Sequence, residues 1–298
     1  MQEILRLEGV VKSYDKHVAV DNVSFAVQKG TIFGLLGPNG AGKTSLIRII
    51  TTITRADTGK VFFDGHPLDG NHPSQIGYMP EERGLYKKMK VGEHLVYLAR
   101  LKGLSKADAD AQIKHWMEKF DIIDWWGKKV EELSKGMQQK IQFIATVIHR
   151  PQLLILDEPF SGLDPINTNL IKEEIQELKR QGSSIIFSTH RMEQVEEICE
   201  DILLINQGRN VLEGDVHEIR NNFKENLFRI DYRGELPALP ESYQVIAQEA
   251  GKLTVKLEAG AESNKLLLFL LQKGVQISAF REILPSLNEI FIRQVALT

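Results

Sequence analysis

The residues best suited to chemistry form one loop, residues 37–44, whose sequence GPNGAGKT fits the pattern G-x-x-x-x-G-K-[ST] without a mismatch. An apolar run at 31–36 predicts a buried strand before the loop, and residues 45–50 predict the start of a helix after it. In that context the loop is suited to phosphate, because glycines allow close approach and free N–H groups at a helix start attract anions. Lys43 would place a positive charge at the β- and γ-phosphates, and the Thr44 hydroxyl can ligate magnesium. The predicted binding residues are Gly37, Pro38, Asn39, Gly40, Ala41, Gly42, Lys43, Thr44 and Ser45.

A second candidate is a pair of carboxylates, Asp157 and Glu158, which follow the apolar run at 153–156. The run suits a parallel strand covered on both faces, and two adjacent acids at its end repel each other in a partly desolvated place. Such an arrangement is poor for stability and typical of a functional site, where Asp157 would hold magnesium and Glu158 would take a proton from water. A further apolar strand at 184–188 leads to His190. A strand-end histidine is often structural, but beside the first strand it would reach the γ-phosphate.

The elements that must position these residues alternate between strands and helices. Leu5 and Leu7 alternate with charged neighbours in a predicted half-buried strand, and residues 23–27 repeat that pattern. From about residue 91 to 150, apolar residues recur at helical spacing, which predicts a mainly helical insertion within an α/β chain. We interpret these stripes as core faces, formed by Ile113, Trp116, Met117, Phe120, Ile141, Ile144, Ala145 and Ile148.

Two further positions have both a structural and a functional interpretation. Ser134 is placed to cap a helix; the alternative is that this helix start, whose first turn has no acidic residue, is a second anion site. Tyr14 is either a turn aromatic or a stacking platform for a purine, and the residues alone leave this open. Residues 161–164, followed by Pro165, predict a tight turn into the next helix.

Composition narrows the class of protein. The chain has 298 residues, enough for one large domain or two unequal ones, and its net charge of −3 gives no global basic field for nucleic acid. The single cysteine, Cys199, excludes a disulfide framework and favours a reducing compartment. We expect no signal peptide at the N-terminus, and no apolar run approaches the length of a membrane span. Any membrane role would therefore depend on a partner.

Taken together, these motifs resemble those of the ATP-binding subunit of an ABC transporter, in order and spacing, over roughly residues 1–220. Residues 37–44 look like Walker A, and 153–158 look like Walker B with its catalytic glutamate, Glu158. His190 would be the switch histidine, and Tyr14 occupies the place of the adenine-stacking aromatic. The signature motif would be Ser134, Lys135, Gly136 and Met137, and the D-loop would be Ser161, Gly162, Leu163 and Asp164.

The resemblance implies an α/β fold, a P-loop NTPase ABC cassette with a mixed sheet core. This cassette would span residues 1–221, with a helical subdomain at about 87–150, and residues 222–298 would form a small C-terminal α+β accessory domain. Two motifs depart from the common pattern. The signature has Lys135 and Met137 where the family has glycine and glutamine, and Glu81 replaces the Q-loop glutamine. These changes resemble an ABC-2-type exporter branch that includes sodium-efflux-type and antibiotic-resistance-type systems.

The resemblance also implies cofactors and partners. ATP and Mg²⁺ would bind, with Thr44, Glu81 and Asp157 around the metal. Two ATPase subunits, as a homodimer or a heterodimer, would pack head to tail around two ATP and drive separate integral-membrane permease subunits. Residues 81–86 would connect nucleotide and permease. The chain would then be cytoplasmic and peripheral on the inner face of the cell membrane, acting on no nucleic acid. The alternative is a soluble ABC-type ATPase without a role in transport.

Overall fold

The computed structural model describes residues 2–82, 84–258 and 260–296, and it divides the chain into two compact units, Met1–Val216 and His217–Thr298. Over its described residues, the first unit has ten strands. They are β1 (Glu3–Tyr14), β2 (His17–Gln28), β3 (Ile32–Leu36), β4 (Thr58–Phe63), β5 (His66–Pro67), β6 (Ile76–Met79), β7 (Leu153–Asp157), β8 (Ser184–Thr189), β9 (Asp201–Asn206) and β10 (Arg209–Asp215).

Two sheets organise these strands. The smaller sheet has the order β2-β1-β4-β5 and is antiparallel, and the larger has the order β10-β9-β3-β8-β7-β6. Within the larger sheet β9, β3, β8, β7 and β6 run parallel, whereas β10 joins β9 antiparallel, so the sheet is mixed as predicted. Every residue of β3, β7 and β8 is buried, which explains why these strands are continuous apolar runs rather than alternating ones.

Helices cover the larger sheet and build the insertion. They are α1 (Lys43–Ile50), α2 (Val91–Leu101), α3 (Lys106–Lys119), α4 (Lys135–Val147), α5 (Pro165–Arg180) and α6 (Met192–Ile198). The predicted helical insertion is therefore made of α2, α3 and α4. Its core holds three aromatic rings in contact, Trp116, Phe120 and Phe143, with centroids 5.6 to 6.0 Å apart. An ion pair from Lys119 of α3 to Glu174 of α5, 2.5 Å long, ties the insertion to the rest of the unit.

The second unit is a small α+β fold with its own core. Its strands are β11 (Leu227–Arg233), β12 (Tyr243–Glu249), β13 (Lys252–Leu257) and β14 (Gln276–Ile283), in the antiparallel order β12-β13-β11-β14. Its helices are α7 (Val216–Asn222), α8 (Ser263–Gln272) and α9 (Leu287–Ala296). The division between the units falls inside α7, as does the boundary at 221/222 that the sequence suggests.

Candidate active site

The glycine-rich loop connects β3 to α1 at the carboxyl edge of the parallel strands. Two of its glycines are required by their neighbours. A Cβ on Gly37 would lie 2.2 Å from the carbonyl oxygen of Ile205, and one on Gly42, whose φ is +109°, would lie 2.3 Å from that of Ala19. Only glycine fits such close backbone approach. Gly42 also caps α1 without a side-chain bond, and no acidic residue stands in the first turn, so this helix start is suited to an anion.

Lys43 is buried among opposite charges. Its amine donates hydrogen bonds to the carbonyl oxygens of Gly37, at 2.7 Å, and Pro38, at 3.1 Å. Burial lowers the pKa of Lys43, while the carboxylates of Asp157, Glu158 and Glu81 act in the opposite direction. The negative charges of three carboxylates therefore act on the Lys43 amine, which lines the same cavity as they do.

Asp157 ends β7 and is only 4% exposed. Its carboxylate accepts a hydrogen bond of 2.8 Å from the hydroxyl of Ser188, the residue directly opposite on β8. Burial raises the pKa of Asp157, the Ser188 hydroxyl lowers it, and the negative charges of Glu158 and Glu81 raise it further. A buried carboxylate with negative neighbours is well placed to receive a cation.

Glu158 follows β7 in a left-handed backbone conformation, with φ of +50°, which is costly for a residue with a side chain. Three groups at the end of β8 hold its carboxylate: the backbone N–H of His190 at 2.9 Å, the Nδ1 of the same residue at 2.6 Å and the Thr189 hydroxyl at 3.1 Å. The predicted neighbourhood of the two strands is therefore confirmed, and it brings Glu158 and His190 into direct contact.

A cavity of about 140 Å³ lies between the loop and these carboxylates. It brings most of the predicted binding residues together with Glu81 and one residue of β2. Its lining consists of Ala19, Asn39, Gly40, Ala41, Gly42, Lys43, Thr44, Ser45, Glu81, Asp157 and Glu158. Within the described part of the chain, Tyr14 and the signature residues are not part of this lining.

Two buried glutamines of α4 hold the backbone on either side of the cavity, and neither was predicted from the sequence. The side-chain amide of Gln142 donates to the carbonyl oxygen of Pro80, at 2.7 Å, immediately before Glu81. That of Gln139 donates to the carbonyl oxygen of Pro159, at 2.9 Å, immediately after Glu158. Polar residues inside an otherwise apolar helical stripe were the available signal, because a buried amide needs hydrogen-bond partners.

The signature segment begins α4, with Ser134 as its N-cap and the Ser134 hydroxyl accepting from the backbone N–H of Met137 at 3.3 Å. The capping interpretation is therefore correct, and the first turn contains no acidic residue. Lys135 is exposed. A Cβ on Gly136 would lie 3.5 Å from the carbonyl oxygen of Gly162, which places the start of α4 against the D-loop of the same chain.

Two other predicted residues lie apart from the cavity. Asp164 ends the D-loop as the N-cap of α5 and accepts from the backbone N–H of Asn167 at 3.0 Å. Tyr14 ends β1 opposite His17 and is 37% exposed, with the amine of Lys12 5.4 Å from the ring centroid. Its exposed ring remains suited to stacking.

Comparison with known proteins identifies the family. A family model described as "ABC transporter" matches residues 20–161, and one described as "ATP-binding protein DrrA1-3-like, C-terminal domain" matches residues 214–295. A third model, "AAA domain, putative AbiEii toxin, Type IV TA system", matches residues 129–194. The first two models together match parts of both compact units.

Relatives and a solved structure agree with these models. The "Uncharacterized ABC transporter ATP-binding protein YhaQ" of Bacillus subtilis (strain 168) is 44% identical over 294 residues, 98% of each chain. The "Nod factor export ATP-binding protein I" of Cupriavidus metallidurans is 36% identical over 222 residues, 74% of this chain and 73% of that protein. The solved "Structure of ATP binding subunit of ABC transporter" superposes with a TM-score of 0.69 at 30% identity, over 74% of this chain and 93% of that one.

Among the described residues, no helix has both the length and the apolar character needed to cross a membrane. A phosphate loop set against paired carboxylates, and a relative matched almost end to end, lead to the same conclusion: this chain belongs to the ATP-binding subunits of ABC transporters and is an ATPase.

Proposed function

We propose that two ATPase subunits bind two ATP molecules head to tail, as a homodimer or with a related chain. The observation that carries this proposal is the composition of the cavity at the carboxyl ends of β3 and β7. It gathers Lys43, Asp157 and Glu158, whereas Ser134 is not part of its lining. The start of α4, which has exposed Lys135 and no acidic residue in its first turn, therefore supplies its donors to the phosphates on an opposing subunit.

Magnesium fits the donors around the loop. Thr44, Glu81 and Asp157 offer only hard oxygen atoms, which this ion prefers. Among the described residues, no three acidic, histidine or cysteine side chains are grouped closely enough to hold a metal by themselves. That suits an ion that is held by one or two carboxylates together with substrate phosphates and water. When bound, it would neutralise charge on the phosphates.

Glu158 is the proposed general base, and His190 its positioning partner. The contacts from His190 and Thr189 hold the Glu158 carboxylate in place. Glu158 and Lys43 line the same cavity. A base in such a place accepts the proton of a water molecule as it attacks the γ-phosphate. Lys43 stabilises the negative charge on the phosphates, and Tyr14 stacks on the adenine from the end of β1.

A larger cavity of about 690 Å³ is the proposed contact for a permease subunit. It lies between the segment before β6 and the insertion, and its lining includes Pro80, next to Glu81, and Gln142, which bonds Pro80. Exposed apolar side chains line it at Ile53 and Leu101. An amphipathic cytoplasmic segment of a permease fits such a groove. Within residues 81–86, Arg83 lies outside the described residues.

Export is the direction we propose, since the similar protein of Cupriavidus metallidurans carries export in its name. The subunit would then work at the inner face of the cell membrane. If a multi-span protein is encoded beside this gene, co-expression with it tests the partnership. A stable complex whose ATPase rate responds to the permease supports it, and an ATPase that remains free and unresponsive favours a soluble role.

The variant Glu158→Gln tests the site chemistry. It should bind ATP and dimerise like the wild type, but phosphate release should fall by about 10² to 10⁴-fold, the usual contribution of a general base. Glu173→Gln, at an exposed position of α5, is the matched control and should hydrolyse at the wild-type rate. Sedimentation with ATP and a phosphate-release assay give the two readouts. Wild-type turnover in Glu158→Gln would exclude the proposed role.

A further inference from the structure

Two segments of the helical insertion pair through their backbones and carry five lysines. Residues 87–92 run antiparallel to residues 126–131, joined by bonds such as Val91 N–H to Lys128 O, 2.9 Å, and Val130 N–H to Met89 O, 3.0 Å. We call this pair the lysine ladder. Its lysines, all exposed, are Lys87, Lys88, Lys90, Lys128 and Lys129.

Two of these lysines face each other directly. Lys90 lies opposite Lys129 in an antiparallel bridge, and the two backbone hydrogen bonds flank the pair rather than join it. In such a pair the Cα atoms are typically about 4.5 Å apart and the side chains are at their closest. Like charges in this position destabilise the folded chain. Lys90 is also the N-cap residue of α2, where the positive end of the helix dipole adds to the repulsion.

The chain itself does little to neutralise the ladder. Among the described residues, the only acidic partner of these five amines is Glu131, 3.8 Å from the amine of Lys129. The carboxylate of Glu132 instead accepts from the backbone N–H of Lys129 at 2.7 Å. In a protein with a net charge of −3, the ladder thus concentrates positive charge on one surface, and such a surface attracts anions.

An exposed aromatic ring belongs to the same surface. A Cβ on Gly92 would lie 2.3 Å from the ring of Trp126, so the ring packs against the backbone there. Trp126 is nevertheless 41% exposed. Tryptophan beside lysines is typical of a protein surface at the level of lipid headgroups. The ladder has lysines and no arginine, which suits dispersed headgroups better than one carboxylate gripped by a planar fork.

We propose that the lysine ladder and Trp126 bind the anionic headgroup surface of a phospholipid membrane. None of these residues is assigned to ATP chemistry, so the proposal stands or falls separately from that of the nucleotide site. A basic segment near a membrane gains affinity with each lysine and loses it with salt.

Vesicle flotation of the full-length chain tests the proposal. Vesicles of equal parts phosphatidylcholine and phosphatidylglycerol should bind the chain at low salt, and pure phosphatidylcholine vesicles should not. Replacing Lys88, Lys90 and Lys129 with glutamine should weaken binding about fivefold for each charge, or roughly a hundredfold together. The emission of Trp126 should shift to the blue on binding, and Trp126→Phe should lose that shift.

A charge-matched control separates the ladder from overall charge. Lys60, Lys106 and Lys114 are exposed elsewhere on the first unit, and replacing all three with glutamine should leave vesicle binding unchanged. Equal losses in the two triple variants would overturn the proposal, as would no binding to the anionic vesicles at low salt. Glu158→Gln should bind vesicles normally, so a failure of the catalytic proposal is read out independently.

Discussion

The ion pair between Lys119 and Glu174 allows a prediction of which of its two residues is more costly to replace. The amine and carboxylate are 2.5 Å apart, but their side chains differ in exposure, 33% for Lys119 and 6% for Glu174. Removing the lysine strands a buried carboxylate, whereas removing the charge of the glutamate leaves an amine that water can still reach. We therefore expect Lys119→Met to destabilise the first unit more than Glu174→Gln does.

The magnitude follows from the burial of Glu174. Breaking a buried ion pair by removing one partner typically costs about 3 to 5 kcal/mol, because an uncompensated charge stays buried. Since the Glu174 side chain is 6% exposed, we expect about 3 kcal/mol for Lys119→Met. Glu174→Gln should cost about 1 kcal/mol, and the double variant about the same.

Urea unfolding followed by tryptophan fluorescence is the assay. All three tryptophans, at positions 116, 125 and 126, lie in the insertion, so the signal reports the unit that contains the ion pair. Lys114→Met is the control, because its pair with Glu118 is 3.7 Å long, exposed, and worth less than about 0.5 kcal/mol. Equal penalties for Lys119→Met and Glu174→Gln would refute this reasoning.

Three further outcomes are expected. Gly42→Ala should abolish ATP binding, and it should destabilise the chain by about 2 kcal/mol more than Gly40→Ala does, because a Cβ at Gly40 meets no atom within 4 Å. Thermal unfolding and nucleotide titration of the two variants measure these differences. Burial and the charge of Lys102 lower the pKa of His149 to about 4, so the free energy of unfolding should be highest above about pH 6.5 and fall by about 2 kcal/mol toward pH 4. In urea unfolding, His149→Gln should show a weaker dependence of this free energy on pH. Glu81→Gln removes one negative charge beside Asp157, so magnesium titration of ATPase activity should shift to higher concentrations; superimposable curves would contradict the role of Glu81.

The sequence predicted the centre of the first unit well because local pattern and chemistry agree there. The loop at 37–44 requires glycines at fixed spacing, and the apolar residues on its two sides predict a strand before it and a helix after it. The strands that lead to Glu158 and His190 were predicted to be neighbours, because both are buried and end in polar residues; the direct contact of the two side chains was not predicted. The carboxyl ends of parallel strands meet at one edge of the sheet, so two strands with the same residue pattern were expected to end close together.

Other features depended on tertiary context that no local pattern carries. Six of the seven residues of β12 are exposed, so the strand has no buried alternation to recognise. The support from Gln139 and Gln142 needs the fold, since the carbonyl groups that they reach lie 20 and 62 residues away in the chain. The position of Tyr14 relative to a bound purine likewise requires the nucleotide, so its stacking role stays a prediction.

The position of β8 between β3 and β7 sets the dimensions of the reaction space. Two inter-strand spacings, about 9.6 Å together, separate the strand that feeds the loop from the strand that carries the acids. The intervening strand ends in the short side chains of Ser188 and Thr189, both fully buried. It therefore acts as a spacer whose tip must stay small, and a bulky residue at either position would narrow the room left for a phosphoryl group in transit.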